Sequence, residues 1–423
     1  MKLLEQRGLT WSGLIKLFIN NFRESGVRVT LRKALGQLSR TDVSFDIDRY
    51  RKWFSRNNTE NGSRAAALFS SPAVIIIGSL DIPQCKKYRV MQKVEYFSVR
   101  GIPCEYAEYR DLTRAFSGMQ LATVVILYRV PAGVEFDALK QEADRLGLTL
   151  FYDIDDPIFD ELAYGDNRNL EALSVRERES LLAQIPGYKR VMEDVGRVIV
   201  STNGMRECVN RATTVDTVLV WPNLIDSATE NIFEQLPSRQ LAGDDTIVLG
   251  YFSGSRAHDS DLDLIAEVLV GVLKSDSRLQ LYLGGYTRLP AALAQLSERV
   301  TFLGFMSYHA YLKNLSAMDI HLVPLLIDRF NDCKSGIRYL EASMCQVPTV
   351  ASHVGQFTEM IEDGATGFLC ETKEDWQGAL DALINDPELR ERMALAARAQ
   401  VLAMHSLASE RFNSLGEVIT DVA

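Results

Sequence analysis

The sequence predicts an α/β chain of two doubly wound, Rossmann-like domains facing a central cleft, preceded by a helical N-terminal extension. Three observations carry this expectation. Short apolar runs alternate with helical stretches from residue 73 onward, that alternation restarts after Trp221-Pro222-Asn223, and the first 40 residues differ from the rest in charge. At 423 residues the chain also exceeds one ordinary core, which makes two domains the natural division.

The extension, residues 1–70, sets Trp11, Leu14, Ile15, Phe18 and Phe22 at one-face helical spacing, with Lys16, Asn20 and Arg23 elsewhere on the wheel. Its first 40 residues hold eight Lys or Arg against two Glu, in a chain of net charge −10. A basic amphipathic segment of this kind suits an anionic lipid surface, with Lys16, Arg23, Arg28, Arg32 and Lys33 on the headgroups and Trp11 and Phe18 inserted. The alternative is a helix packed on the next domain or on a second copy in a homo-oligomer. The negative overall balance argues against a nucleic-acid partner, because phosphates demand facing cations. Residues 56–64 are polar and read as a linker.

The first domain is expected over residues 71–226, completed by a C-terminal helix at 404–423. Its strands are read at 73–78, 123–128, 148–152 and 197–201; their apolar runs are continuous rather than alternating, which is the mark of burial on both faces. Helical stretches at 136–146 and 175–195 supply crossovers, and these imply a parallel sheet. The second domain, residues 227–403, repeats the pattern with strands at 246–252, 279–283, 300–302, 320–323 and 349–351 and a helix at 261–273. Two such sheets place the ligand where their carboxyl ends face each other.

Scattered cysteines (Cys85, Cys104, Cys208, Cys333, Cys345, Cys370) and separated histidines offer no ligand spacing, so no metal and no disulfide framework is expected. No apolar run reaches eighteen residues and the N-terminus lacks signal-peptide features, which predicts a cytoplasmic protein, peripheral on the inner membrane if residues 1–40 bind lipid.

The segment FNDCKSGIRYLEASM, Phe330 to Met344, follows a strand and opens a helix near Ser335. The unpaired N–H groups of a helix start, at Ser335 and Gly336, suit a diphosphate, and Lys334 adds a full charge. Glu341 lies six residues on, about 9 Å along a helix, where a carboxylate can take both hydroxyls of a ribose. The alternative is a capped surface helix. In GYFSGSRAHD, Gly250 to Asp259, the small residues Ser253, Gly254 and Ser255 admit close backbone approach, Arg256 can grip phosphate, and His258 sits in the same loop. Across the cleft, CKKYRVM holds Arg89, Arg129 follows the strand VVILY, and YDIDDP holds Asp153, Asp155 and Asp156. Asp155 is the candidate to orient or deprotonate an acceptor hydroxyl; alternatively these carboxylates cap the next segment or pair with Arg129.

GYFSGSRAHDSDL, VTFLGFMSYHAYLKNLSAMDIHLVPL, FNDCKSGIRYLEASMCQVPTVAS and IEDGATGFLC, in this order and spacing, resemble the donor domain of glycosyltransferase family four, the retaining enzymes of GT-B fold. The resemblance covers roughly residues 73–400 and implies that Arg256 and Lys334 bind the donor diphosphate, that Glu341 binds the ribose, and that Phe305 lies on the donor side. It also implies a nucleotide-diphosphate sugar as co-substrate, a saccharide or lipid-linked acceptor, and no other cofactor. Cys333 stands where the family has a first glutamate. The loop is similar to a bacterial surface-polysaccharide subgroup. A GT-A enzyme with Asp153 and Asp155 on a divalent ion is disfavoured by the second nucleotide-type domain. Two alternatives stay open: a GT-B nucleotide-sugar epimerase, and a non-catalytic glycan-binding or scaffold subunit.

Overall fold

The computed structural model describes residues 72–165, 167, 170, 174–235, 246–254 and 261–420. The basic extension and its membrane or oligomer reading lie outside the described residues, as do Ser255, Arg256 and His258. Both sheets belong to one compact body formed by residues 69–109 and 114–423.

The first sheet contains β1 (Val74–Gly78), β2 (Cys104–Glu108), β3 (Val124–Tyr128), β4 (Thr149–Ile154), β5 (Arg197–Val200) and β6 (Thr217–Val220), in the order β2-β1-β3-β4-β5-β6 and parallel throughout. The second contains β7 (Ile247–Ser253), β8 (Leu279–Gly285), β9 (Val300–Gly304), β10 (Ile320–Val323), β11 (Thr349–Ser352) and β12 (Phe368–Cys370), in the order β12-β11-β10-β7-β8-β9, again parallel. Each sheet therefore reverses its winding once, between β1 and β3 and between β7 and β10. A crevice opens at such a point outside the carboxyl ends of the strands. Gly78, Tyr128, Ser253 and Val323 end the strands that face it.

The expected strands are present, and three more appear: β2, β6 and β12, each at a sheet edge. Of these, β2 reads CEYAE, with only Ala107 buried, and so lacks the apolar run of the inner strands. The helix expected over 175–195 is two helices, α1 (Val175–Leu182) and α2 (Ile185–Val195), broken where Pro186 enters the first turn of the second. α1 starts on a capping box of Ser174 with Glu177. Further on come α3 (Asn203–Ala212), α4 (Ala266–Ser275), α5 (Tyr308–Leu315), α6 (Ile337–Met344) and α7 (Pro387–His405), the last capped by Asp386 with proline at its first position.

Apolar clusters cover both faces of the second sheet, one around Leu249, Leu269, Leu281 and Leu380, the other around Leu315, Tyr339, Ala351 and Val401. After α7 the chain crosses back: Ile225 and Ser406 form a parallel bridge, and Phe412 and Ile419 of the final segment, which ends in α8 (Asn413–Thr420), join the cluster of Val74, Phe97, Ile126 and Trp221. Tyr96 Oη fastens that segment, donating to the Phe412 carbonyl at 2.6 Å and accepting the Gly416 N–H at 2.8 Å. No helix among the described residues is long and apolar enough to cross a membrane.

Candidate functional site

The segment from β10 to α6 lies at the switch point of the second sheet. Lys334, half-buried beside the Phe330 ring at 4.5 Å, reaches across to the first half and pairs with Asp156 Oδ1 at 2.8 Å. Burial by itself would raise the Asp156 carboxyl, but the Lys334 and Arg129 charges outweigh it and hold the group well below the usual carboxylate range. Ser335 Oγ accepts a hydrogen bond from Asn223 Nδ2 at 3.0 Å. α6 begins on Gly336, whose N–H donates to Gln356 Oε1 at 2.9 Å. The expectation of a free amide at Gly336 is therefore corrected: a glutamine side chain already satisfies that helix-start donor.

Glu341 is buried in the middle of α6, 2% exposed. Each carboxylate oxygen takes a hydroxyl donor, Oε1 from Tyr88 at 2.5 Å and Oε2 from Tyr311 at 2.8 Å, while Tyr308 Oη stands 3.2 Å from that of Tyr88. Burial pushes the Glu341 carboxyl up, and the tyrosine hydroxyls and the Lys87 charge pull it back. Tyr308 and Tyr311 share one face of α5 because they are three residues apart, on a helix started by the Ser307 cap. Tyr88 comes from the other half, in the π-helical segment Lys86–Met91. Beside it Lys87 pairs with Asp226, reaches Thr229 Oγ1 at 2.6 Å and stands 4.9 Å over the Tyr308 ring. The surface-helix reading of Glu341 does not fit a carboxylate so enclosed. None of these tyrosines was among the sequence candidates; the YHAY spacing was the available signal.

At the ends of β7 and β8 the backbones converge. Gly285 has φ +81°, and a Cβ there would lie 1.9 Å from the Ser253 carbonyl, so only glycine fits. That carbonyl accepts the Tyr286 N–H at 3.1 Å. Ser253 is buried and Gly254 is exposed, facing Gln84. Phe305, 65% exposed, stacks on Tyr286 with centroids 4.9 Å apart, and so leaves an aromatic face at the rim of the same strand ends.

On the first half, Arg89 and Asp153 are each 0% exposed, and this corrects their expected place on the acceptor side. Arg89 grips Asp153 Oδ1 from Nη2 at 2.8 Å and Nε at 3.1 Å, and Lys93 pairs with Oδ2 at 2.6 Å. The remaining Arg89 nitrogen donates to the Trp221 carbonyl at 2.7 Å and to Asn223 Oδ1 at 3.0 Å. Buried charges are tolerated when paired, and here both cations face the one carboxylate. The triad lies beneath the cleft and holds Asn223, which in turn holds Ser335. Arg129, by contrast, is partly exposed, in the left-handed region at φ 48°, and pairs with Asp155 at 2.6 Å and with Asp156. Asp155 Oδ1 also accepts from Tyr128 Oη at 3.1 Å. For Asp155 and Asp156 the alternative pairing with Arg129 is thus the one present.

Cys333 is buried beside the first half, with its carbonyl accepting from Thr202 Oγ1 at 3.0 Å. It borders a cavity of about 330 Å³ whose polar lining includes Glu207, Arg211, Arg329 and His353.

With this geometry in place, the comparisons with known proteins converge. The family model described as "Glycosyl transferases group 1" matches residues 233–400. Over 247 residues the chain is 27% identical to the D-inositol 3-phosphate glycosyltransferase of Stackebrandtia nassauensis, covering 53% of this chain and 54% of that one. Over 116 residues it is 34% identical to the alpha-D-kanosaminyltransferase of Streptomyces kanamyceticus, 27% of this chain and 29% of that one. The matches span about half or less of these curated relatives. Among solved structures, HepE from Anabaena in complex with UDP and glucose superposes with a TM-score of 0.58 at 14% identity, over 83% of this chain and 100% of that one. A glycosyltransferase from Rickettsia africae gives 0.59 at 13%, over 83% and 99%. At these identities the likeness to solved structures is one of fold.

Proposed function

We propose that the chain, whose residues 233–400 match the glycosyl transferases group 1 model and whose fold is of the two-domain GT-B type, moves a sugar from a nucleoside-diphosphate donor to a saccharide or lipid-linked acceptor, with retention at the anomeric carbon. Glu341 carries the reading. A buried carboxylate that accepts a hydroxyl on each oxygen is built to take hydroxyl donors, and a ribose presents them. Lys334 is the cation for the diphosphate, with Arg256 as a second, so that charge on the departing group is met without a divalent ion. The exposed Tyr286–Phe305 pair offers a stacking surface for the base. The cavity beside Cys333 is the place for the transferred sugar, its hydroxyls met by arginine and carboxylate side chains in lieu of a glutamate at 333.

On the acceptor side we assign Arg129 and Asp155, with Asp155 orienting the attacking hydroxyl. The basic residues 1–40 favour a peripheral place on the cytoplasmic face of the inner membrane, and with it a role in assembling bacterial surface glycans.

The test is nucleotide binding by calorimetry, after a thermal-shift screen of uridine, guanosine and deoxythymidine diphosphates and their sugars. Glu341→Ala and Lys334→Ala should each weaken binding by about tenfold or more while keeping the fold, the scale of lost charge-assisted hydrogen bonds. Unchanged affinity in both variants defeats the assignment. Incubating the chosen donor without acceptor separates transferase from epimerase, since an epimerase forms an isomer unaided.

A further inference from the structure

The donor anchors of the second half are already engaged, and their partners come from the first half. Lys334 is paired with Asp156, Ser335 with Asn223, and Glu341 with Tyr88. The last contact has the chemistry of the ligand itself: a hydroxyl donating to Oε1 of a buried carboxylate at 2.5 Å. The other oxygen is held differently. Tyr311, which bonds Oε2, belongs to α5 of the same half as Glu341 and travels with it. Tyr88 belongs to the π-helical segment Lys86–Met91, and its neighbour Lys87 clamps that segment onto Asp226, Thr229 and the Tyr308 ring.

Resting on the reading of Glu341 as the ribose anchor, we propose that Tyr88 sets donor affinity by occupying the position of a ribose hydroxyl on Glu341. A nucleotide then binds by displacing Tyr88 from Oε1, while Tyr311 keeps Oε2 and holds the carboxylate in place. Two tyrosines on one carboxylate thereby have opposite effects. Tyr88 competes with the donor, and Tyr311 is a positioning residue for it. Only groups that bind the site without ligand and leave with it can weaken binding in this way, because the cost is the free energy of the bond given up. The Lys334–Asp156 pair is placed to impose a similar cost at the diphosphate.

The experiment titrates UDP and GDP, and their 2′,3′-dideoxy counterparts, into the full chain and three variants by calorimetry, with melting temperatures confirming that each is folded. Tyr88→Phe keeps the ring and removes the hydroxyl. It should bind the ribonucleotide about tenfold more tightly than the unchanged protein, the scale of one hydrogen bond to a charged group, and show no gain for the dideoxy form. Tyr311→Phe should bind the ribonucleotide more weakly, and Glu341→Gln should lose the preference for ribo over dideoxy. Equal or weaker binding by Tyr88→Phe, with Glu341→Gln still losing that preference, overturns the competition and leaves the ribose anchor standing. Tighter binding in both tyrosine variants also overturns it, since loosening Glu341 would then explain the gain. If Tyr88→Phe, freed of the competitor, binds ribo and dideoxy forms equally, the ribose anchor itself falls, and the competition with it.

Discussion

Asp153 shows how one buried residue can serve a site it never touches. Its carboxylate holds Arg89 and Lys93 with all three side chains fully enclosed, and Arg89 passes that order to Asn223 and thence to Ser335. Burial and the Arg89 charge push Lys93 down to about 8, while the Asp153 carboxylate opposes them. Removing one member of such a set strands the charges that remain. Asp153→Ala should therefore lower the free energy of unfolding by about 3–5 kcal/mol, read from the urea midpoint. A midpoint within error of the unchanged protein would mean that the triad is not the support described. From sequence, YDIDDP offered three carboxylates that looked alike. Which one is buried depends on where β4 ends: Asp153 lies within the strand, and Asp155 and Asp156 lie beyond it in the loop.

Among the elements, the strands buried on both faces were legible because double burial demands unbroken apolar runs, as in VIIIG of β1 and VVILY of β3. β2, with its mixed CEYAE, and β12, only three residues long, were not, because neither carries such a run. β10 carries an exception to its own pattern: His321, 0% exposed in IHLV. Burial, with the Arg338 charge as a lesser contribution, lowers it to about 3. The sign follows from linkage. Between about 3 and the ordinary histidine value near 6.5 the unfolded chain holds a proton that the folded chain refuses, so stability falls as pH drops through that window, by up to roughly 1.4 kcal/mol per pH unit. His405, lowered to about 4 mainly by burial, acts in the same direction. Urea midpoints at pH 7, 6 and 5 should decline, and His321→Asn should flatten the decline; an equally steep profile in that variant would count against the assignment.

For the whole molecule, the backbones of the two halves come into direct contact at α3. A Cβ placed on Gly204 would lie 2.1 Å from the Asp332 carbonyl, which is backbone and cannot swing aside. Gly204→Ala should hold the halves apart next to the segment that bears Cys333 and Lys334. Since misplacement by an ångström costs on the order of 10²-fold in rate, kcat should drop by about that factor. Donor KM should not rise comparably, because Glu341 and Lys334 keep their own positions within one half and lose only first-half contacts that compete with the donor. Steady-state kinetics separate the two parameters, and an unaltered kcat would show that this approach is not required for turnover.

The sequence by itself determined the two parallel sheets and the segment from Phe330 to Met344 as the place to look, because hydrophobic periodicity and a loop opening a helix are local properties of the chain. Only the tertiary structure decided what each polar residue there meets. Glu341 is enclosed by tyrosines from two different elements, Lys334 answers to Asp156, and Arg89 is sealed under the cleft rather than lining it. The Tyr88–Glu341 and Asp156–Lys334 pairings join residues more than a hundred positions apart, from both halves of the fold, and no spacing along the chain encodes which face of one sheet will close upon the other.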